Sequence, residues 1–397
     1  MEEKEREKHQ FQYLPVKMES INPKSITLDE LYGQWDDTQS PPQWQDGVLS
    51  QVLKSMCQSS REYARWMVLD GPVDTLWIET MNSVLDDNKL LTLANSDRIA
   101  LSPNVRLLFE VEDLDEASPA TVSRAGMVFM DIEELGWKPI MAMWVASKTD
   151  KGEDFVANLE EIVQKYVAKV LNVKRLQCKE LVKTSESACI NHMCRLFDAL
   201  TENIKQGEEE DRNSYLYYIE KWFVFSLIWG VGSTVDEKSR RDIDNILRDI
   251  EPMFPHANTV FEYQINTEKK DFETWDAKLS TSNLKFQGKE FHEIYVPTVD
   301  TIRNRFLTQT LMDYGSQILL VGLSGVGKTV LVEGLLMTLD ALTLNFTINF
   351  SAGTNAGSTQ EIIEAQYDRR AKNKFVPKNS KKKAVCFIDD LNMPRKE

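Results

Sequence analysis

Eight consecutive residues in the last quarter of the sequence have the types and the spacing needed to hold a phosphate group. In order they are Gly322, Leu323, Ser324, Gly325, Val326, Gly327, Lys328 and Thr329. Glycines let the backbone wrap closely around an anion, and successive N–H groups at a helix N-terminus then face it. Lys328 would reach the β- and γ-phosphates of a nucleotide, and the Thr329 hydroxyl would ligate Mg²⁺. With the apolar run Ile318–Val321 before it, this pattern predicts a strand, a phosphate-binding loop (Walker A) and a helix.

A second motif further along the chain supplies carboxylates. The apolar run 384–388 ends in Asp389 and Asp390, a Walker B pattern in which Asp389 would hold the Mg²⁺ with Thr329. Asp390 is then the local carboxylate left to polarise the attacking water, which makes it the candidate catalytic residue. Taken alone, a buried strand with an acidic end explains this pattern equally well. Downstream of a phosphate-binding loop, the two motifs together predict ATP or ADP with Mg²⁺ as cofactors.

Composition excludes several classes of protein. The chain has 397 residues, of which 42% are apolar and 27% charged, an ordinary globular composition for two or three domains. Its net charge of −15 argues against binding nucleic acid mainly through phosphate contacts. The basic run 369–383 could form a nucleic-acid patch, but a solvated loop is the commoner meaning of such a run. We therefore expect no nucleic-acid partner.

The sequence also predicts neither a membrane span nor a signal peptide. The apolar region Tyr215–Trp229 is shorter than the ~20 residues a span needs, and Glu220 and Lys221 interrupt it. The charged N-terminus lacks an apolar segment of the signal-peptide kind. Five cysteines without metal-ligand spacing indicate reduced thiols in an intracellular protein. We expect Cys386, in the Walker B strand, to be a small buried apolar residue.

Hydrophobic periodicity divides the chain into α/β, helical and α/β regions. Up to about residue 135, strands and helices alternate, which predicts a parallel sheet. The predicted elements include an edge strand at Phe11–Met18, strands at 65–70, 105–109 and 127–130, a loop or irregular hairpin at 35–47, and a hairpin at 89–101. From Gly136 to Ile250 the pattern is helical, and one helix should bury a stripe beginning at Phe155. The alternative for that stripe is a coiled-coil partner face. The second α/β region is incomplete, because a nucleotide-binding sheet needs more strands.

Five segments, taken in order, resemble the motor region of dynein heavy chains, and more closely the axonemal (ciliary) type. They are Leu-Asp-Gly-Pro-Val-Asp at 69–74, Trp-Ile-Glu-Thr-Met-Asn-Ser-Val-Leu-Asp-Asp-Asn-Lys at 77–89, Ala-Ser-Pro-Ala-Thr-Val-Ser-Arg-Ala-Gly at 117–126, the loop at 322–329 and Phe-Ile-Asp-Asp-Leu-Asn-Met-Pro at 387–394. The resemblance covers nearly everything after residue 11. It implies a P-loop NTPase of AAA+ type, whose ring has six modules, each with a large α/β and a small helical subdomain.

The resemblance also assigns each region of the chain to a module. Residues 1–10 are a polar lead-in, 11–135 part of the second module's large subdomain without its Walker A, 136–256 its helical small subdomain, 257–287 a linker, and 288–397 the start of the third module. Arg124 matches the family's arginine finger, at a strand entry, and would serve the first module's nucleotide in trans. Asp70 is followed by Gly71, so the second module lacks the usual catalytic carboxylate and resembles a binding-only site.

Function and partners follow from the same resemblance. It implies part of an ATP-dependent, minus-end-directed microtubule motor that drives ciliary or flagellar movement, located in the cytoplasm, cytoskeleton and ciliary axoneme. The implied partners are the other AAA+ modules of the ring, dynein intermediate and light chains, and microtubules through other parts of the motor. Two alternatives stay open: a truncated, non-catalytic nucleotide-binding or structural fragment, and another AAA+ ATPase of the chaperone kind. ATP turnover by the isolated chain separates an enzyme from a fragment.

Overall fold

The computed structural model describes residues 15–58, 63–205, 207, 211–280, 296–372, 374–379 and 381–395. The chain divides into two compact units, Met1–Phe129 and Met130–Glu397. In the described residues, no helix has both the length and the apolar character to cross a membrane. Each unit is built around its own hydrophobic core.

The first unit alternates strands and helices, as its sequence predicts. Its strands are β1 (Val16–Ile21), β2 (Gly33–Asp36), β3 (Gln43–Asp46), β4 (Ala64–Asp70), β5 (Leu90–Thr92), β6 (Arg98–Ala100) and β7 (Val105–Glu110). Its helices are α1 (Leu28–Tyr32), α2 (Val48–Gln58), α3 (Thr75–Leu85) and α4 (Pro119–Arg124). The predicted helix at 75–85 has the same bounds, because Asp74 caps it by accepting hydrogen bonds from the N–H groups of Leu76 and Trp77.

A parallel sheet of strand order β1-β4-β7 forms the centre of the first unit, and the predicted parallel topology is confirmed. The side chains of Met67 and Leu69, on the middle strand β4, are fully buried. Helix α3 packs on the sheet, where the Trp77 ring stacks on Phe109 with centroids 6.2 Å apart. The edge strand begins after Pro15, which has no N–H to donate, whereas residues 11–14 lie outside the described part.

Two antiparallel hairpins lie in the sheet connections: the predicted one at 89–101, and one at 35–47, where the sequence left a loop or an irregular hairpin open. Strands β2 and β3 pair with Trp35 opposite Trp44, and their rings meet edge to face with centroids 5.5 Å apart. Strands β5 and β6 pair with Leu91 opposite Ile99, both of which are buried. The hairpins therefore belong to the folded unit and are not disordered loops.

The predicted strand Met127–Met130 is wrong. These residues form no strand, and the side chains of Val128, Phe129 and Met130 are more than 80% exposed. A strand needs a neighbour to satisfy its backbone N–H and C=O groups. Strand β7 is the last strand of the described sheet, and none pairs with residues 127–130. The segment has the apolar composition of a strand, but no described residue pairs with it.

The second unit is mostly helical, with short strands in its later part. Its helices are α5 (Ile132–Leu135), α6 (Lys138–Ala146), α7 (Glu153–Gln177), α8 (Glu186–Thr201), α9 (Arg212–Val231), α10 (Arg240–Ile250), α11 (Asp276–Ser280), α12 (Val299–Asp313), α13 (Lys328–Leu336) and α14 (Ala356–Glu364). Its strands are β8 (Tyr263–Asn266), β9 (Asp271–Thr274), β10 (Thr343–Asn349), β11 (Tyr367–Ala371), β12 (Lys374–Pro377) and β13 (Lys383–Asp389).

A helical core fills the first half of the second unit. The predicted apolar stripe of α7 is buried along its length, from Phe155 to Val170. It packs within this unit, so the coiled-coil alternative is not needed. Helix α9 is buried nearly all round, and its Phe225 lies between Trp222 and Trp229 in a chain of aromatic contacts. No described residue of 136–250 belongs to a strand, as the sequence predicts.

The interpretation of residues 257–287 as a linker needs correction. The hairpin β8–β9 lies within this range, and Tyr263 and Ile265 on β8 are buried in the helical core. Trp275 is fully buried, with its ring 6.4 Å from that of Phe225. The polar composition of the segment hides these apolar anchors, which become buried because helix α9 presents aromatic side chains to them. Residues 281–287 lie outside the described part.

The last part of the chain holds a small parallel sheet made of the two strands β10 and β13. The strand predicted at Ile318–Val321 is absent, and Leu319 and Val321 are 71% and 62% exposed. Cys386 on β13 is exposed, so the expectation of a buried cysteine is wrong. In both places the cause is the same: the described residues supply no further strand or layer to pair with or to cover these apolar groups.

Candidate functional site

The candidate site lies where β13 ends and α13 begins. Strands β10 and β13 run parallel, with Asn349 opposite Asp389 at their carboxyl ends. Two glycines of the loop, Gly325 and Gly327, have φ of 79° and 83°, and Gly327 is the residue just before the helix. Side chains with a Cβ rarely adopt this left-handed conformation, so glycine is required at both turns. A loop of this conformation that leads into a helix N-terminus can offer its backbone N–H groups to an anion.

Lys328 is held against its own loop. Its ammonium donates hydrogen bonds to the backbone oxygens of Gly322, at 2.8 Å, and Leu323, at 2.7 Å. These contacts hold the cation over the loop, where phosphate oxygens can replace the carbonyls as acceptors. A charge-assisted bond to phosphate is stronger than one to a neutral carbonyl, which favours that exchange.

Thr329 and Asp389 come together although 60 residues separate them in sequence. The Thr329 hydroxyl donates a hydrogen bond of 2.9 Å to an oxygen of Asp389. Both oxygens are of the hard type that Mg²⁺ prefers. Among the described residues there is no cluster of three or more His, Cys, Asp or Glu side chains that could hold a metal alone. Magnesium would therefore take its remaining ligands from nucleotide phosphate and water, the usual arrangement for this ion.

Asp390 follows the predicted metal ligand and lies at the surface. Its φ of 54° is in the left-handed region, which Asp adopts more readily than most residues. Its backbone N–H donates to an oxygen of Asp389 at 3.0 Å, and its carbonyl accepts from the N–H of Met393 at 2.9 Å. The Asp390 side chain is exposed and follows the predicted metal ligand Asp389 directly in sequence.

Arg124 belongs to the first unit and ends helix α4, so its expected place at a strand entry is corrected. Its guanidinium donates to the Asp86 carboxylate and to the backbone oxygen of Ala120. The helix is anchored by Thr121, whose hydroxyl donates a 2.8 Å bond to Asn82. Sequence reasoning gave no signal for Asp86, which is the residue that orients the arginine.

The first unit has its own acidic strand end at Asp70, where β4 stops. A Cβ built on Gly71 would lie 2.6 Å from the side-chain oxygen of Asn22, closer than real Cβ contacts come. Asn22 cannot withdraw freely, because that oxygen accepts the N–H of Lys24 at 2.9 Å. A larger residue after Asp70, such as the glutamate or aspartate of a catalytic Walker B, would therefore have to displace the Asn22 side chain. Sequence reasoning noticed the glycine but not its contact with Asn22.

Comparison with family models defines the class of the chain. Residues 15–125 match the AAA domain of the dynein-related subfamily, 159–277 the dynein heavy chain AAA lid domain, and 285–397 the P-loop containing dynein motor region. With the parallel sheets and the phosphate-binding loop, these matches make the chain an AAA+ P-loop NTPase. This class binds nucleotide.

Relatives narrow the class to one family. The chain is 40% identical over 415 aligned residues to the dynein-1-beta heavy chain, flagellar inner arm I1 complex, of Chlamydomonas reinhardtii, which covers 96% of this chain. It is 43% identical to dynein axonemal heavy chain 2 and 35% identical to dynein axonemal heavy chain 3, both from Homo sapiens, over 95% and 98% of this chain. The chain spans only 9%, 8% and 10% of these three relatives. It belongs to the axonemal dynein heavy chains, as a segment of their motor region.

Proposed function

We propose that Gly322–Thr329 and Asp389 form a nucleotide site that binds ATP or ADP with Mg²⁺. The observation that carries the proposal is the 2.9 Å contact between Thr329 and Asp389, which brings together the two predicted magnesium ligands. Lys328 and the N-terminus of α13 supply the positive charge that phosphate needs. Binding by this chain alone should be weak, because Leu323 and Val326 in the loop are 82% and 62% exposed and no described element covers them.

The substitution Lys328→Ala tests this site. Loss of hydrogen bonds to a charged group costs about 1.5–3 kcal/mol, so we expect binding of a fluorescent ADP analogue to weaken by roughly 10- to 100-fold. Fluorescence anisotropy with Mg²⁺ measures it, and chelation of Mg²⁺ should weaken wild-type binding too. Lys374→Ala is the matched control, since Lys374 is an exposed lysine on β12 outside the loop. Equal affinity of wild type and Lys328→Ala would remove the assignment.

We further propose that the chain works as part of an ATP-dependent, minus-end-directed microtubule motor for ciliary or flagellar movement. The support is its homology to axonemal dynein heavy chains over nearly its whole length. On this basis its location is the cytoplasm, cytoskeleton and ciliary axoneme. Its partners are the other AAA+ modules of the ring, dynein intermediate and light chains, and microtubules bound by other parts of the motor.

Roles for the remaining site residues are part of the same proposal. Asp390 acts as the base that orients the attacking water, and Arg124 acts as an arginine finger on the nucleotide of the preceding module. The exposed Asp390 turn and the orientation of Arg124 by Asp86 support these roles. The second module's own strand end at Asp70 serves binding or structure, since Gly71 leaves it without a base.

A second candidate function is a nucleotide-binding or structural segment that does not turn over ATP by itself. It is favoured by the two-stranded sheet at the loop, because the described residues give the loop support from β10 and β13 only. Steady-state ATP turnover by the isolated chain distinguishes the two candidates. Turnover that Asp389→Asn abolishes would establish an enzyme, whereas binding without turnover would establish the segment.

A further inference from the structure

A lysine is buried in the helical part of the second unit. Lys174, in the last turn of α7, is 5% exposed. Its ammonium lies 2.9 Å from a carboxylate oxygen of Glu180, 2.9 Å from the hydroxyl of Thr184 and 3.0 Å from the sulfur of Cys189. Burial lowers the pKa of Lys174, but the hydrogen bonds to Cys189 and Glu180 outweigh it and leave that pKa above its usual value. The three N–H bonds of a cation are thus all directed at acceptors.

The sulfur of Cys189 has polar neighbours although it is buried. Cys189, in α8, is 3% exposed, and its sulfur is also 3.2 Å from the Thr184 hydroxyl. The Lys174 ammonium donates toward this sulfur, so the sulfur has a charged neighbour although it is buried. Sulfur and amine are therefore in contact, and both are potential reactants.

Two other cysteines show how different this environment is. Cys194 lies five residues further along α8, and burial raises the pKa of its thiol, with the Asp198 carboxylate adding to the effect. Burial likewise raises the pKa of Cys178 to about 11. In both, burial disfavours the reactive thiolate, whereas the Cys189 sulfur lies 3.0 Å from an ammonium nitrogen. Cys189 should therefore differ from Cys178 and Cys194 in its reactivity toward oxidants.

From this geometry we infer that Lys174 and Cys189 form an oxidation site, at which hydrogen peroxide joins the two side chains by a covalent sulfur–nitrogen bond. The contact of 3.0 Å between amine nitrogen and sulfur places the two atoms within reach of bond formation with little movement. The link would connect the C-terminal end of α7 to the N-terminal half of α8. It is a reversible modification, unrelated to the nucleotide site.

The reaction has two balanced steps. The Cys189 sulfur attacks a peroxide oxygen and the O–O bond breaks; the thiol and hydrogen peroxide together give sulfenic acid and water. Glu180 then takes a proton from the Lys174 ammonium, and the freed amine attacks the sulfur. The S–O bond breaks, the leaving hydroxide takes up that proton as water, and the bonded nitrogen releases its extra proton to solvent, which leaves a neutral S–N link. Sulfur is oxidised and peroxide reduced, so no other oxidant is required.

Access to the buried pair depends on the segment between the two helices. Residues 178–184 lie over Lys174 through Glu180 and Thr184, and they form one isolated bridge, Glu180 with Val235. Leu181 in this segment is 71% exposed. Two backbone hydrogen bonds, from the N–H of Leu181 to Thr234 and from the N–H of Asp236 to Lys179, tie this segment to the rest of the unit, and a local opening that breaks them uncovers Lys174 and Cys189. Peroxide, a molecule close to water in size, can then reach the sulfur.

Peptide mapping of the peroxide-treated chain tests the inference. The full 397-residue chain is treated with hydrogen peroxide under native conditions, then alkylated and digested with trypsin. We expect the peptide 170–175 joined to the peptide 184–195, two hydrogen atoms lighter than their sum, because linked Lys174 is no longer cleaved. Dithiothreitol should abolish the link.

Two variants complete the experiment. Lys174→Arg keeps the cation but lacks a nucleophilic amine, so Cys189 should be oxidised without a link. Cys194→Ser removes the neighbouring thiol of the same helix and should leave the link intact. A disulfide between Cys189 and Cys194 in the wild-type chain would overturn the inference. So would sulfinic acid at Cys189 without a link, or an unmodified Cys189 when the half-buried Cys57 is already oxidised.

Discussion

The ends of β4 and β13 offer two versions of the same acidic strand end. Each strand is apolar, runs parallel to its neighbours and reaches an aspartate at its carboxyl end, Asp70 in the first unit and Asp389 in the second. The residue that follows differs. Gly71 is pressed against Asn22, whereas Asp390 turns outward at φ 54° and is exposed. The two strand ends therefore differ in the space available after the aspartate, and this difference underlies the different roles that we propose for them.

The surroundings of the two aspartates also differ. Asp389 accepts the hydroxyl of Thr329 and so belongs to a phosphate-binding loop. In β4, the strand has neighbours on both sides and its Met67 and Leu69 are fully buried. The strand that ends at Asp70 is therefore buried between two neighbouring strands, whereas the strand that ends at Asp389 has a hydrogen bond from the phosphate-binding loop.

The largest expected effect concerns Arg124, through which the first unit would contribute to ATP hydrolysis at the preceding module. In a full-length motor, Arg124→Ala should lower ATP turnover at the preceding module by about 10³- to 10⁵-fold, the range known for arginine fingers. Nucleotide binding at the third module should not change. Steady-state turnover and nucleotide affinity measure the two effects.

Asp86→Ala is the companion variant for Arg124. It removes the carboxylate that orients the guanidinium but leaves the charge in place, so its loss of turnover should be smaller. Wild-type turnover in Arg124→Ala would show that the arginine only makes a surface ion pair and would weaken the contrast between the two regions.

A smaller effect is expected at Asp390, whose side chain is one methylene shorter than glutamate. Because a displacement of about 1 Å can cost about 10²-fold, the third module should hydrolyse ATP slowly while binding it normally. In a complete ring with the first site silenced, Asp390→Glu should raise turnover and Asp390→Asn should abolish it. Single-turnover hydrolysis measures this. Fast wild-type turnover that is indifferent to Asn would show that Asp390 is not the base.

The smallest expected effect concerns Gly71, which follows Asp70 at the end of β4. Gly71→Ala should destabilise the first unit by about 1–3 kcal/mol, the usual cost of overpacking, because its Cβ displaces Asn22. Chemical denaturation measures this free energy of unfolding. Gly126→Ala is the control, since nothing lies within 4 Å of a Cβ there. If Asn22→Gly fails to relieve the cost, the contact with Asn22 is not its cause.

Local patterns in the sequence determined much of this molecule. The loop Gly322–Thr329, the acidic ends of β4 and β13, and most helices follow from short-range requirements: glycines at left-handed turns, capping side chains and apolar periodicity. The helix at 75–85 has its predicted bounds because its cap and its apolar face lie within it or next to it. Such features depend on residues close in sequence, so a reader of the sequence can find them.

Only the tertiary structure decided which apolar segments are paired and which residues meet. The segments 127–130 and 318–321 have strand composition but remain unpaired, because pairing depends on distant backbone groups. Trp275 lies in a polar stretch of sequence, and it is fully buried because its ring packs against Phe225 of helix α9. The contact of Gly71 with Asn22 and that of Lys174 with Cys189 join positions 49 and 15 residues apart. No local pattern encodes such contacts, since they form only when separate elements pack together.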